Sequence, residues 1–219
     1  MRNFAWAFVL ISVVSACTFN SNDKKTLPIL GSRKLETKTV DGKTVTDTVY
    51  QTITPFKFVN QYGDSITNKS LDADIYVADF FFTTCPSICP VMHRNMLKVY
   101  NTFKNTGDFK ILSHTIDPKH DSVPVLKKYA DKLGVTGNTW WFLQGKKEST
   151  YELAEKHYMV AVKGDSTAAG GYIHSGYFIL VDKQKRIRGV YDGTDPNQVD
   201  QMIGDIKTLL AEPDENIAQ

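Results

Sequence analysis

The sequence predicts one α/β domain with a short β-hairpin ahead of it. Three observations carry that expectation. DIYVADFFF (74–82) and FKILSHTI (109–116) are near-continuous apolar runs, as strands buried on both faces require. Between them, Met92, Met96, Tyr100 and Phe103 recur at helical spacing. A chain of 219 residues, 42% of them hydrophobic, can bury one sizeable core plus appendages.

The elements follow in order. ETKTVDGKTVTDTVYQT alternates Thr and Val around Asp41-Gly42, a hairpin signal. PFKFVN and the turn QYGDS suggest a second, shorter strand pair. After the strand at 74–82 and the helix that follows it, 109–116 is the next buried strand. Leu126, Tyr129, Ala130 and Leu133 then mark a helix that Gly134 can terminate. TWWFL (139–143) reads as a strand or its entry, and KESTYELAEKHY as a helix. YFILVD, the turn at KQKR and IRGVYDG form a hairpin, and Val199, Met202, Ile203, Ile206 and Leu210 stripe a closing helix. Strand–helix–strand–helix followed by a hairpin and a helix is the thioredoxin-like order, here over 35–212, with a frayed tail at 213–219. No internal repeat or second domain is evident.

The N-terminus speaks to location. Arg2 precedes the apolar run FAWAFVLISVVSA, too short for a folded transmembrane helix but long enough for a signal-peptide core. The run ends in Val14-Ser15-Ala16-Cys17, which resembles a bacterial lipoprotein signal. That resemblance implies a leader at 1–16, cleavage before Cys17 and lipid on its sulfur. An uncleaved membrane anchor is the other reading. Either exports the domain and ties it to a membrane, in the cell envelope, facing the periplasm or exterior. Residues 17–34 then read as the anchored residue and a flexible polar tether. Without the leader's single base the chain has 25 basic against 24 acidic side chains, which gives no reason to invoke nucleic acid.

With Cys17 assigned to lipid, two cysteines remain, Cys85 and Cys89 in FFFTTCPSICPVMHRNM. A disulfide between them would close a very short loop and constrain little of the unfolded chain, so a structural staple is a weak account. At the junction of a buried strand and a helix, a cysteine sits near the positive end of the helix dipole, where its thiolate is favoured. Pro86 and Pro90 restrict the loop, and Pro90 is tolerable in a first helical turn. Three intervening residues leave a wider bite than the two usual in dithiol exchange. That suits a soft ion such as Cu(I), while a redox couple stays equally open.

FFFTTCPSICP resembles the FxxTxCPxxCP segment of the SCO/SenC family, copper-handling thioredoxin-fold proteins of cytochrome oxidase assembly. HTIDPKHDS (114–122), WWFLQG (140–145) and YIHSGYFILVD (172–182) are similar to its downstream motifs, in the same order. The resemblance runs from about residue 53 to 210. It implies copper, as Cu(I) or Cu(II), on Cys85, Cys89 and His174. It also implies a cytochrome oxidase copper-bearing subunit, or another copper carrier, as partner. The other histidines have blander expectations. His120 and His157 should be solvated, His114 should satisfy a buried hydrogen bond, and His93 should lie on a helix surface, with Met92 in the core.

Two positions depart from the family. Ser87 stands where an acid is common between the cysteines. Asp79 lies inside the apolar strand, six residues before Cys85, where thioredoxins keep a buried aspartate for proton transfer to the resolving thiol. A buried carboxylate is costly and asks for a reason. It keeps a second function open: thiol–disulfide exchange with Cys85 as nucleophile, Cys89 resolving and Asp79 relaying protons, acting on the oxidase's own copper-site cysteines or other exported thiols.

Overall fold

The computed structural model describes residues 26–213 except 73 and 166, so the leader, Cys17 and the tail beyond 213 lie outside the described residues. The core is a five-stranded sheet of β5 (Ile75–Phe81), β6 (Phe109–Thr115), β7 (Trp140–Leu143), β10 (Tyr177–Val181) and β11 (Ile187–Asp192), in the order β11-β10-β5-β6-β7. β5, β6 and β7 run parallel, and β10 and β11 are antiparallel. The two parallel steps move across the sheet in one direction. Right-handed crossovers therefore bring α1 (Cys89–Phe103) and α2 (Val123–Lys132) to the same face. There Tyr129 of α2 meets both Phe81 of β5 and His93 of α1, and α4 (Pro196–Leu210) packs beside α1. The fold is thioredoxin-like.

Every residue of β5 is buried, as its composition requires, and Asp79 is the one charge in it. β1 (Arg33–Val40) and β2 (Lys43–Tyr50) form the expected hairpin. Its two-residue turn puts Asp41 at φ 51° and Gly42 at φ 75°, the left-handed pair a type I′ turn needs. β3 (Lys57–Val59) and β4 (Ser65–Thr67) form the shorter pair. The helix expected over KESTYELAEKHY is α3 (Lys147–Glu152), which continues as one π-helical turn over Leu153–His157. An unanticipated two-stranded ladder, β8 (Val162–Gly164) with β9 (Tyr172–His174), leads into β10.

Both edges of the main sheet are covered, which blunts strand addition there. On β7, the buried side chain of Gln61 imitates a strand: its amide N–H₂ donates to the Trp140 carbonyl and its oxygen accepts from the Phe142 N–H, each at 2.9 Å. On β11, Leu30 bridges to Ile187, donating to its carbonyl at 2.8 Å. Arg188 donates to the carbonyls of Leu27 and Pro28 and pairs with Asp182 and Glu212. The polar composition of 17–34 predicted a tether throughout, but Leu27 is buried and the chain is bound to the domain from there onward. Leu27 and Leu30 are among the few apolar residues of a polar stretch, and packing them against the domain overrides the composition around them.

The opposite face of the sheet holds a second departure. His114 is fully buried among the rings of Phe56, Phe58, Phe80 and Tyr158, and neither ring nitrogen has a hydrogen-bond partner among the described residues. The expected buried hydrogen bond is absent, and stacking on Phe80 at 5.3 Å takes its place. Burial holds the imidazole neutral, its pKa lowered to about 4 against an opposing pull from the charge of Asp79. His120 is exposed as expected, whereas His157 is half-buried with Nδ1 unpartnered among the described residues.

Candidate metal centre

Cys85 lies in the turn after β5, and Cys89 is the first residue of α1. The turn closes through the Cys85 N–H donating to the Phe82 carbonyl at 3.1 Å, and Pro90 opens the helix without loss of an intrahelical bond. His174 ends β9, and the β8–β9 ladder aims its ring at the helix N-terminus. Its Nε2 is 3.2 Å from Cys89 Sγ and 3.8 Å from Cys85 Sγ. The three ligand atoms lie within 4.8 Å of one another, and both cysteines are free thiols. Cys85, Cys89 and His174 are 8%, 1% and 9% exposed, so the cluster is shielded from solvent.

The sulfurs are electrostatically distinct. Cys85 is pulled down to about 3, chiefly by a hydrogen bond from the Cys89 thiol, with further help from His174 and the backbone N–H groups of Cys89 and Ser87 against the cost of burial. Cys89 is driven far above the usual thiol range because it is the donor in that bond, and then because it is buried. The two thiols are thus shifted in opposite directions, Cys85 downward and Cys89 upward. Ser87 Oγ stands 3.7 Å from Cys85 Sγ, where an acid would have placed a negative charge. At about pH 6, where an ordinary thiol is almost wholly protonated, iodoacetamide should label Cys85 and leave Cys89 untouched in peptide mass spectra. Equal labelling of both would refute the asymmetry.

Asp79 does not enter the cluster. It lies behind it, fully buried, accepting from Ser113 Oγ and paired with His93 Nε2 at 3.3 Å, while Trp140 donates to the same Ser113 oxygen. His93 is therefore not on a helix surface. It is 1% exposed, and its other nitrogen meets Tyr129 Oη at 2.7 Å. A face-by-face reading of α1 puts His93 beside Cys89 and Met96 on the buried stripe, and Asp79 supplies the polar partner that makes burial tolerable. The negative field of Asp79 reaches Cys89 and adds to the upward pull on its thiol. Met92 is in the core as expected.

Residues outside the ligand set build the site. Asp121 is fully buried and accepts from the backbone and hydroxyl of Thr83 and from Thr115 Oγ1, tying the strand that delivers Cys85 to the end of β6. It is the second aspartate of IDPKHD, so its signal was present in the motif. Asp117, the first, does not orient His174, whose Nδ1 has no partner among the described residues. Asp117 instead hydrogen-bonds Tyr172, whose phenol is raised to about 12 by burial and then by that carboxylate. Gly170, at φ 81°, lies so close to Phe82 that an added Cβ would meet its ring at 2.8 Å. That approach lets the turn before β9 lie over Phe82, which contacts both Tyr172 and His174. Cys17 lies outside the described residues.

Two sulfurs and one imidazole nitrogen in this arrangement can chelate a soft ion, and the same two sulfurs can close a disulfide. The family model described as SCO1/SenC matches residues 45–211. A curated relative, the SCO1 protein homolog of Bacillus subtilis, is 31% identical over 169 residues, covering 76% of this chain and 87% of the relative. The structure of BsSco, a member of the Sco family of cytochrome c oxidase assembly proteins, superposes with a TM-score of 0.65 at 30% identity, covering 74% of this chain and 95% of that one. Yeast Sco1 with copper bound gives a TM-score of 0.59 at 26% identity, over 77% of this chain and 94% of that one. A match across three quarters of the chain, spanning the cysteine pair and His174, shows that this protein belongs to the SCO1/SenC family.

Proposed function

We propose that this chain is a membrane-tethered carrier that binds one copper ion through Cys85, Cys89 and His174 and passes it to the copper-bearing subunit of a cytochrome oxidase. The observation that carries this reading is the convergence of the three ligand atoms within 4.8 Å. Two sulfur ligands favour Cu(I), and an added imidazole suits the same set to Cu(II). Copper bound to yeast Sco1 and the assembly family of BsSco support the same reading. Cys85 is ready as a thiolate, and Cys89 gives up its proton as it becomes a ligand, so only the reduced pair loads. Delivery proceeds by exchange, a partner's thiols replacing these ligands one at a time.

Tethering rests on Cys17 and the leader before it. No helix among the described residues is long and apolar enough to cross a membrane. With the chain bound to the domain from Leu27, residues 18–26 are the spacer between lipid and domain, in the envelope, facing the periplasm or exterior.

Asp79 favours a second reading. A partner disulfide attacked by the Cys85 thiolate forms a mixed disulfide. Cys89, deprotonated toward the buried Asp79–His93 pair, then closes the Cys85–Cys89 bond and releases the partner as a dithiol, two electrons having passed to it. The readings separate experimentally. Protein loaded with one Cu(I) should lose it to the soluble copper-free domain of an oxidase subunit, read by metal analysis of the two proteins after anaerobic separation, and His174→Ala should not transfer it. If the reduced, copper-free protein restores that domain's thiols and His174→Ala does so equally well, while loaded protein transfers nothing, the carrier reading fails.

A further inference from the structure

We infer that β1 is a strand-addition edge whose occupant is a second copy of this chain, joined about a two-fold axis through Thr37. All eight residues of β1 are exposed, and among the described residues β1 pairs with β2 alone. Leu35 is 74% exposed and Val40 55%. A lone two-stranded hairpin is marginally stable in water, and a long uncovered edge is a template for pairing. The main sheet of this protein covers both of its edges, while among the described residues the hairpin leaves the outer edges of β1 and β2 open, and β1 is the one exposed along its whole length.

The turn decides which groups face that edge. In a type I′ hairpin the residues flanking the turn, Val40 and Lys43, are a hydrogen-bonded pair, and bonded pairs alternate from there. Four steps down, Gln51 donates to the Ser32 carbonyl at 2.9 Å, in phase with that alternation. Lys34, Glu36, Lys38 and Val40 thus bond to β2, and Arg33, Leu35, Thr37 and Thr39 turn their N–H and C=O groups outward. A copy added antiparallel must match outward groups to outward groups, which leaves axes through Leu35, Glu36, Thr37 or Lys38.

Charge selects among the four. An axis through Glu36 sets Glu36 against itself and Lys34 against Lys38, and one through Lys38 sets that lysine against itself. The axis through Leu35 overlaps only Arg33–Thr37 of the strand. The axis through Thr37 pairs Lys34–Val40, the longest overlap of the four without a like-charge pair, with Glu36 opposite Lys38 twice. It also resolves a conflict inside the hairpin. Glu36 and Asp47 are directly opposite, a destabilising like-charge pair, and Lys38 lies 3.9 Å from Asp47. The copy's Lys38 supplies the missing cation on the other side of Glu36. The product is a four-stranded antiparallel sheet, β2-β1 joined to β1-β2 of the second copy.

The test uses the full chain in detergent. In Thr37→Cys, mild oxidation with oxidised glutathione should link two copies through residue 37, because strand pairs across such an axis lie within disulfide reach. Thr48→Cys, on the same face of the far strand, should not link. By sedimentation equilibrium, Lys38→Glu should weaken the dimer about tenfold or more, and Glu36→Lys with Lys38→Glu should restore it. These positions lie outside the core, so the variants keep the fold. A chain that is monomeric throughout, a Thr37→Cys link no faster than that of Thr48→Cys, or a dimer indifferent to Lys38→Glu would each overturn the proposal.

Discussion

Replacing His93 by leucine is expected to destabilise the domain by about 3–5 kcal/mol, the cost of leaving one member of a buried charged or hydrogen-bonded pair without its partner. Asp79 is fully buried, and His93 Nε2 at 3.3 Å and Ser113 are its side-chain partners among the described residues. Without His93 the carboxylate must hold its charge against an apolar strand or take up a proton. Replacing both residues by leucine should recover most of the loss, because two apolar groups of similar volume need no partner. Ser113 keeps its bond from Trp140, and the half-buried Tyr129 can turn to water. Urea unfolding of the two single variants and the double variant measures this directly. A His93→Leu cost below about 1 kcal/mol would mean that the pair is not the anchor of β5 and α1 described above.

A second large effect is expected from acid. His114 accepts a proton near 6.5 when unfolded but only near 4 inside its aromatic cage, because burial disfavours the cation. The folded pKa is depressed, so this contribution is fully present above about 6.5 and is lost as pH falls through 4. The unfolded chain gains a proton that the folded one refuses, and the slope over that window amounts to roughly 3 kcal/mol. His114→Phe keeps the stacking and removes the titration. Between pH 6.5 and 4 its unfolding free energy should fall by roughly 3 kcal/mol less than that of the parent, the Cys85 thiolate and the carboxylates contributing equally to both. A variant whose stability falls as steeply as that of the parent would place the acid sensitivity elsewhere.

Much of the architecture was legible because each strand and helix carries its own period. β5 and β6 read as doubly buried runs, and α1 and α4 as apolar stripes. Asp41-Gly42 specified a turn that only left-handed residues make comfortably. The site was legible to a lesser degree. The position of Cys85 and Cys89 at a strand–helix junction was visible from periodicity, whereas His174 was reached through motif resemblance, since the β8–β9 ladder that aims it has no strong pattern. Contacts distant in sequence were illegible. Nothing local to His93 announces that a carboxylate fourteen residues earlier will meet it, or that four aromatic rings will enclose His114. Leu27 and Leu30 were lost in a polar stretch because composition averages over the residues that matter.

A three-ligand copper site is tested by an anaerobic Cu(I) titration of the reduced protein from residue 18 against a competing chelator. Cys85→Ser, Cys89→Ser and His174→Ala would be measured beside it. The account predicts one equivalent bound, and each substitution weakening it by more than the 10–100-fold that outer contacts usually cost. Binding no tighter in the parent than in the cysteine variants would contradict it, and the Asp79-assisted dithiol would become the working account of this site.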